Sequence, residues 1–132
     1  MFNYRVLQYG LIVFLAIIFS VVVIYGVLVG RDESRSKLSL YNANQILVGL
    51  GYFKKDQARY PSPNEFSDKG VMLNYFSVYP FPVIASTLCP QNFQYTTSKS
   101  DNFSLGFCLD SNYDGGKKGL NYFGPDTTVT RE

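Results

Sequence analysis

Two sets of residues have types and spacings that could do chemistry. The first lies in "LDSNYDGGKKGLN", residues 109–121, where Asp110, Asn112 and Asp114 alternate ahead of Gly115 and Asn121 follows. Oxygen donors at alternate positions before a glycine are what a calcium loop uses, since the alternation gathers the side chains and the glycine permits a sharp turn. The set lacks the closing bidentate Glu, and Lys117 and Lys118 bring positive charge into the loop. The same residues also suit an ordinary polar turn. The second set is Cys89 and Cys108, the only cysteines in the chain. Asn102-Phe103-Ser104 fits a glycosylation sequon, a pattern too short to carry weight alone. Histidine is absent, which excludes His-based general base catalysis and most zinc sites. A Ser or Cys nucleophile would lack its usual base, and no carboxylate pair stands out by spacing, so the chain does not read as an enzyme. With 12 Lys+Arg against 10 Asp+Glu, net +2, no stretch is basic enough to bind nucleic acid by bulk electrostatics.

The elements that position these residues begin with two alternating runs, "NFQYTT" and "NFSLGFCLD", separated by the polar turn "SKSD". Phe93 and Tyr95 share one face of the first, and Phe103, Leu105, Phe107 and Leu109 share one face of the second. Together they predict a β-hairpin over residues 91–110. Cys89 precedes the first strand and Cys108 lies near the end of the second. Antiparallel pairing therefore brings them within disulfide reach, with two separate buried thiols as the alternative. A closed loop of about 20 residues would contribute roughly 3 kcal/mol. Upstream, "GVMLNYFSVYPFPVIASTLCP" is interrupted by Pro80, Pro82 and Pro90 and cannot be one central strand. Residues 59–90 read as loop or irregular structure covering the core, and residues 111–132 as a C-terminal loop. Within the former, "SPNEF" suits a short helical turn, with Ser62 as cap, Pro63 at the first helical position and Glu65 three beyond the cap.

The N-terminal half is dominated by an apolar run. Between Arg5 and Arg31 there are 25 residues and no charge. That is enough to cross a hydrocarbon core of roughly 30 Å and longer than the ~7–15-residue apolar core of a cleaved signal. Residues 1–30 thus read as a leader and transmembrane helix, and residues 31–132 as a head. No proline interrupts the chain until Pro61, and Ala43, Ile46, Leu50 and Phe53 recur on one helical face. One continuous helix is expected from about residue 6 to 57, its amphipathic half spanning 31–58. Arg31, Arg35 and Lys37 beyond the run would draw the C-terminal side into the cytoplasm. A disulfide needs an oxidising compartment and argues the other way. The favoured orientation is N-in, C-out. The fold class is α+β: a long N-terminal helix packed on a small antiparallel sheet.

This order of parts resembles a type IV pilin or a type II secretion pseudopilin over most of the chain. The likeness rests on the apolar helix, the charged step Arg31-Asp32 and Arg35, the amphipathic stretch, the stop at Tyr60-Pro61, and "FSLGFCLD" with its cysteine. It implies a structural subunit of a pilus or pseudopilus, held in the inner membrane and assembled through its apolar helix. Its partners would be other pilin-like subunits and an inner-membrane assembly platform. A prepilin peptidase would cut between Gly10 and Leu11, after the short basic leader. No cofactor is required. Calcium, which the resemblance favours, would lie on Asp110, Asn112, Asp114 and Asn121. The chain departs from the family at Leu15, where a Glu is expected five residues after the glycine. That departure fits a minor or atypical subunit, or an uncleaved membrane-anchored binding domain whose aromatic segment around Tyr75, Phe76, Tyr79 and Phe81 meets a ligand.

Overall fold

The structure, a computed structural model, describes residues 4–76, 88–89, 93–99, 101–125 and 129–130. Tyr79 and Phe81 of the aromatic segment lie outside these residues. Helix α1 (Tyr4–Gln57) is a single run of 54 residues. The chain divides into two compact units, Met1–Asp32 and Glu33–Glu132, two residues beyond the expected boundary. The first unit contains the apolar part of α1. Its length and composition are sufficient to cross a membrane once.

The second unit is α+β. Its sheet has strand order β1-β2-β3-β4, from β1 (Phe93–Lys99), β2 (Asn102–Leu109), β3 (Gly119–Phe123) and the two-residue β4 (Val129–Thr130), all neighbours antiparallel. The expected hairpin is β1–β2. Its register sets Phe93 opposite Phe107 and Tyr95 opposite Leu105. Directly opposed residues point to the same side of a sheet, so both apolar rows face one core. Ala43, Ile46, Leu50 and Phe53 of α1 close that core against Phe103, Leu105, Phe107, Leu109 and Phe123. Each fully buried large apolar side chain contributes roughly 1.5–3 kcal/mol, which makes this contact the main stabilising element of the unit.

The expected C-terminal loop is corrected in part: residues 119–123 and 129–130 are strands. Alternation was hidden there because a polar residue, Asn121, takes a core-facing position opposite Phe107. The irregular stretch is corrected as well. Ser62 caps α2 (Pro63–Ser67) with a full capping box, as its sequence indicates. Asp68 then caps an unexpected turn of helix, α3 (Lys69–Met72), by accepting from the Gly70 N–H at 2.8 Å.

Helix α1 stops for local reasons. Lys54 and Lys55 stand in its last turn, where positive charge suits the helix dipole. Ala58 follows with φ +56°, the left-handed conformation that ends many helices and that glycine adopts more easily. Arg59 then forks onto Glu65 with contacts of 2.7 and 2.6 Å, tying the residues just past α1 to α2 across buried Pro61.

Candidate functional site

The cysteines come together as expected. Cys89 and Cys108 form a disulfide with Cα atoms 6.1 Å apart, both side chains buried. Cys108 sits in the second strand of the sheet, opposite Leu120, so the bridge fastens the chain before β1 to an interior strand. Gly10 and Leu11 lie inside α1, and Leu11 is exposed. A peptidase acting there would have to open one turn of helix, because both residues carry helical backbone.

The oxygen-rich loop is built differently from a calcium cage. Asp110 is buried and faces Arg35, with Nη1 to Oδ2 at 3.6 Å. Asn112 Oδ1 accepts from the Lys118 N–H at 2.8 Å. Asn121 Oδ1 accepts from the Lys117 N–H at 3.1 Å, while its Nδ2 donates to the carbonyls of Lys117 and Gly119 at 2.7 and 3.0 Å. Asp114 is exposed. With φ of +47° at Asp114 and +80° at Gly115, and Tyr113 and Gly116 exchanging backbone hydrogen bonds in both directions, the tip has the type I′ pattern, which selects Asp-Gly for its handedness. The alternating Asp and Asn residues are thus used for turn geometry and to satisfy backbone donors. Among the described residues no group of three or more His, Cys, Asp or Glu could hold a metal. As arranged here, the amide oxygens of Asn112 and Asn121 are already engaged by backbone N–H groups.

What the loop does hold is the helix. Ser111 donates its N–H to Ser36 Oγ at 2.9 Å, and the two hydroxyl oxygens lie 3.1 Å apart. With Arg35 and Asp110 beside them, these residues latch the early head portion of α1 to the turn after β2. The sequence reading missed Ser36 and Ser39. They extend the row of Ala43, Ile46, Leu50 and Phe53 upward at the same three- and four-residue spacing, which is the signal that could have found them.

Two ionisable clusters flank the core. Three donors converge on Glu65: the Arg59 guanidinium first, then the Ser62 N–H and the Ser62 hydroxyl. They hold its carboxyl down at about 2. Burial pushes the Tyr95 phenol upward, and its hydroxyl donates to the Pro61 carbonyl at 2.8 Å. Both clusters fasten the turn after α1; neither opens onto a described cleft.

No protein-family model, no curated protein and no solved structure matches this chain.

Proposed function

We propose that the chain is a pilin-like structural subunit of a type IV pilus or type II secretion pseudopilus, minor or atypical in kind, which assembles through its apolar N-terminal helix. One observation carries this reading: α1 runs unbroken from Tyr4 to Gln57, so that a segment apolar enough to cross a membrane and the core stripe of the head belong to one helix. A plain anchor has no need of that continuity and is usually joined to its domain by a linker. The Cys89–Cys108 bridge supports a head outside the cytoplasm, hence an inner-membrane protein oriented N-in, C-out before assembly. In this role the chain is not an enzyme; its partners are other pilin-like subunits, the assembly platform and a prepilin peptidase acting at Gly10-Leu11.

Mass spectrometry of the mature chain tests the proposal. A methylated N-terminus at Leu11, and the chain's presence in purified filaments, are the expected results. An intact Met1 together with absence from filaments overturns it. That outcome would favour the second reading, an uncleaved single-pass anchor carrying an extracytoplasmic binding domain, for which Leu15 in place of Glu is the supporting observation.

A further inference from the structure

The turn that latches α1 carries a motif the latch does not use, the lysine pair Lys117-Lys118. Its backbone is pinned at both residues. The Lys117 N–H donates to Asn121 Oδ1 and the Lys118 N–H to Asn112 Oδ1. Both side chains are exposed. Among the described residues neither ammonium lies within ion-pair distance of a carboxylate. Adjacent like charges on a fixed turn repel each other, and an anion that meets both relieves that repulsion.

The position of the turn says where such an anion would come from. Strand β2 runs antiparallel to the head portion of α1. Near its start, Phe103 packs on Tyr60, just past the end of α1, with ring centroids 4.6 Å apart. Beyond its end, Ser111 bonds Ser36. The turn therefore stands at the N-terminal end of the head's helix. Gly30, the last residue of the uncharged run, is only six positions before Ser36. Even fully extended, six residues cover about 20 Å, so Ser36 stays close to the end of that run at any angle of the helix. With the run in a membrane, the turn is within reach of the lipid head groups. Half-buried Tyr113 lies on the same turn, and tyrosine suits a water–lipid boundary.

We propose, resting on the membrane-spanning reading above, that the Lys117-Lys118 turn binds the phosphates of anionic lipids in the membrane that α1 enters. Recognition is by contact rather than by a long-range field. Residues 31–37 and 110–118 carry Arg31, Arg35, Lys37, Lys117 and Lys118 against Asp32, Glu33, Asp110 and Asp114, an excess of one positive charge. Of these, Arg35 and Asp110 face each other. One excess charge at an exposed surface is largely screened beyond about 8–10 Å. Two neighbouring ammonium groups, each a compact charge with three donors, hold phosphate oxygens once they touch them. A zwitterionic lipid offsets its own phosphate with an ammonium group, so the pair selects anionic lipids.

Amine acetylation of the full chain by a reagent that does not cross membranes tests this. The chain is reconstituted in vesicles of phosphatidylcholine alone and of phosphatidylcholine mixed with phosphatidylglycerol. Peptide mass spectrometry reads each lysine, with Lys54 and Lys55 in the last turn of α1 as internal standards. Lys117 and Lys118 should react several-fold more slowly in the anionic vesicles, and molar salt should remove the difference. Equal rates in the two vesicles overturn anionic-lipid binding. Equal protection of the detergent-solubilised chain by inorganic phosphate also overturns it and assigns the turn to a soluble anion. Hydrogen exchange over residues 111–118 should slow in the anionic vesicles. Replacing the pair with Lys117→Gln and Lys118→Gln should abolish that slowing, and Lys117→Arg with Lys118→Arg should keep it. Slowing retained by the Gln pair overturns the assignment to these side chains. Alkaline carbonate extraction separates docking from the span. A chain that stays with the membrane while Lys117 and Lys118 react freely overturns docking alone. A chain that extracts, yet is protected on anionic vesicles, keeps docking and overturns the span.

Discussion

The Phe76 ring occupies the space that a side chain at Gly49 would fill. Alanine at this position gains about 1 kcal/mol of helix propensity. It must also displace a buried aromatic ring in a packed core, which costs typically about 1–3 kcal/mol. Gly49→Ala is therefore expected to destabilise the head, and Gly51→Ala, in open space, to stabilise it. Urea midpoints of the two variants against the parent check the opposite signs; a stabilised Gly49→Ala would show that Phe76 does not pack there.

Ala58 carries the left-handed turn that ends α1. That conformation costs a residue with a Cβ roughly 1–2 kcal/mol, part of which glycine returns as extra freedom when unfolded. Ala58→Gly should raise stability by about 0.5–1 kcal/mol, read as a shift in the denaturation midpoint with an unchanged slope.

Glu65 titrates at about 2 in the folded chain, against an ordinary 4.5. Its folded value is depressed, so the stability it contributes is present above about pH 4.5 and is lost as the pH falls towards 2. Glu65→Gln removes the Arg59 pair and the charged half of the capping box. It should lower stability at pH 7 and flatten the acid limb over that window, as followed by circular dichroism melts at stepped pH. An acid limb of unchanged steepness would place its origin at other carboxylates.

Reduction of Cys89–Cys108 reopens a loop with a sequence separation of 19, worth roughly 3 kcal/mol by the chain-entropy argument. Thermal melts with and without a reductant should differ accordingly. Cys108→Ser, which puts a hydroxyl at a buried site in β2, should destabilise more than reduction alone.

Much of this fold was legible where a single physical rule governs a segment. The row Ala43, Ile46, Leu50, Phe53 announced the inner face of α1, alternation around Phe103 and Leu105 announced β2, and Ser62-Pro63 with Glu65 announced the capped turn. Legibility failed where two demands fall on the same residues. Asn121 is polar because it satisfies three backbone groups of the preceding turn, and this broke the alternation that would have revealed β3. Apolar residues also stand on the exposed face of α1, at Leu38, Tyr41, Val48 and Tyr52, and periodicity alone does not say why. The alternating acids and amides around Asp110 matched a metal loop because turns and cation sites draw on the same short oxygen-bearing side chains; only the partners of Asn112 and Asn121 distinguish the two uses.

The bridge between Cys89 and Cys108 also changes the topology of the chain. It turns the hairpin into a covalent ring, and α1 lies wholly outside it. One cut within residues 90–107 opens the ring but frees no fragment from an oxidised molecule. One cut between Gln57 and Cys89 severs α1 from the sheet and leaves only non-covalent packing to join them. Shedding of the head by a protease would therefore require a site outside the ring, and a digest that also cuts within residues 90–107 would release an additional piece only from reduced protein.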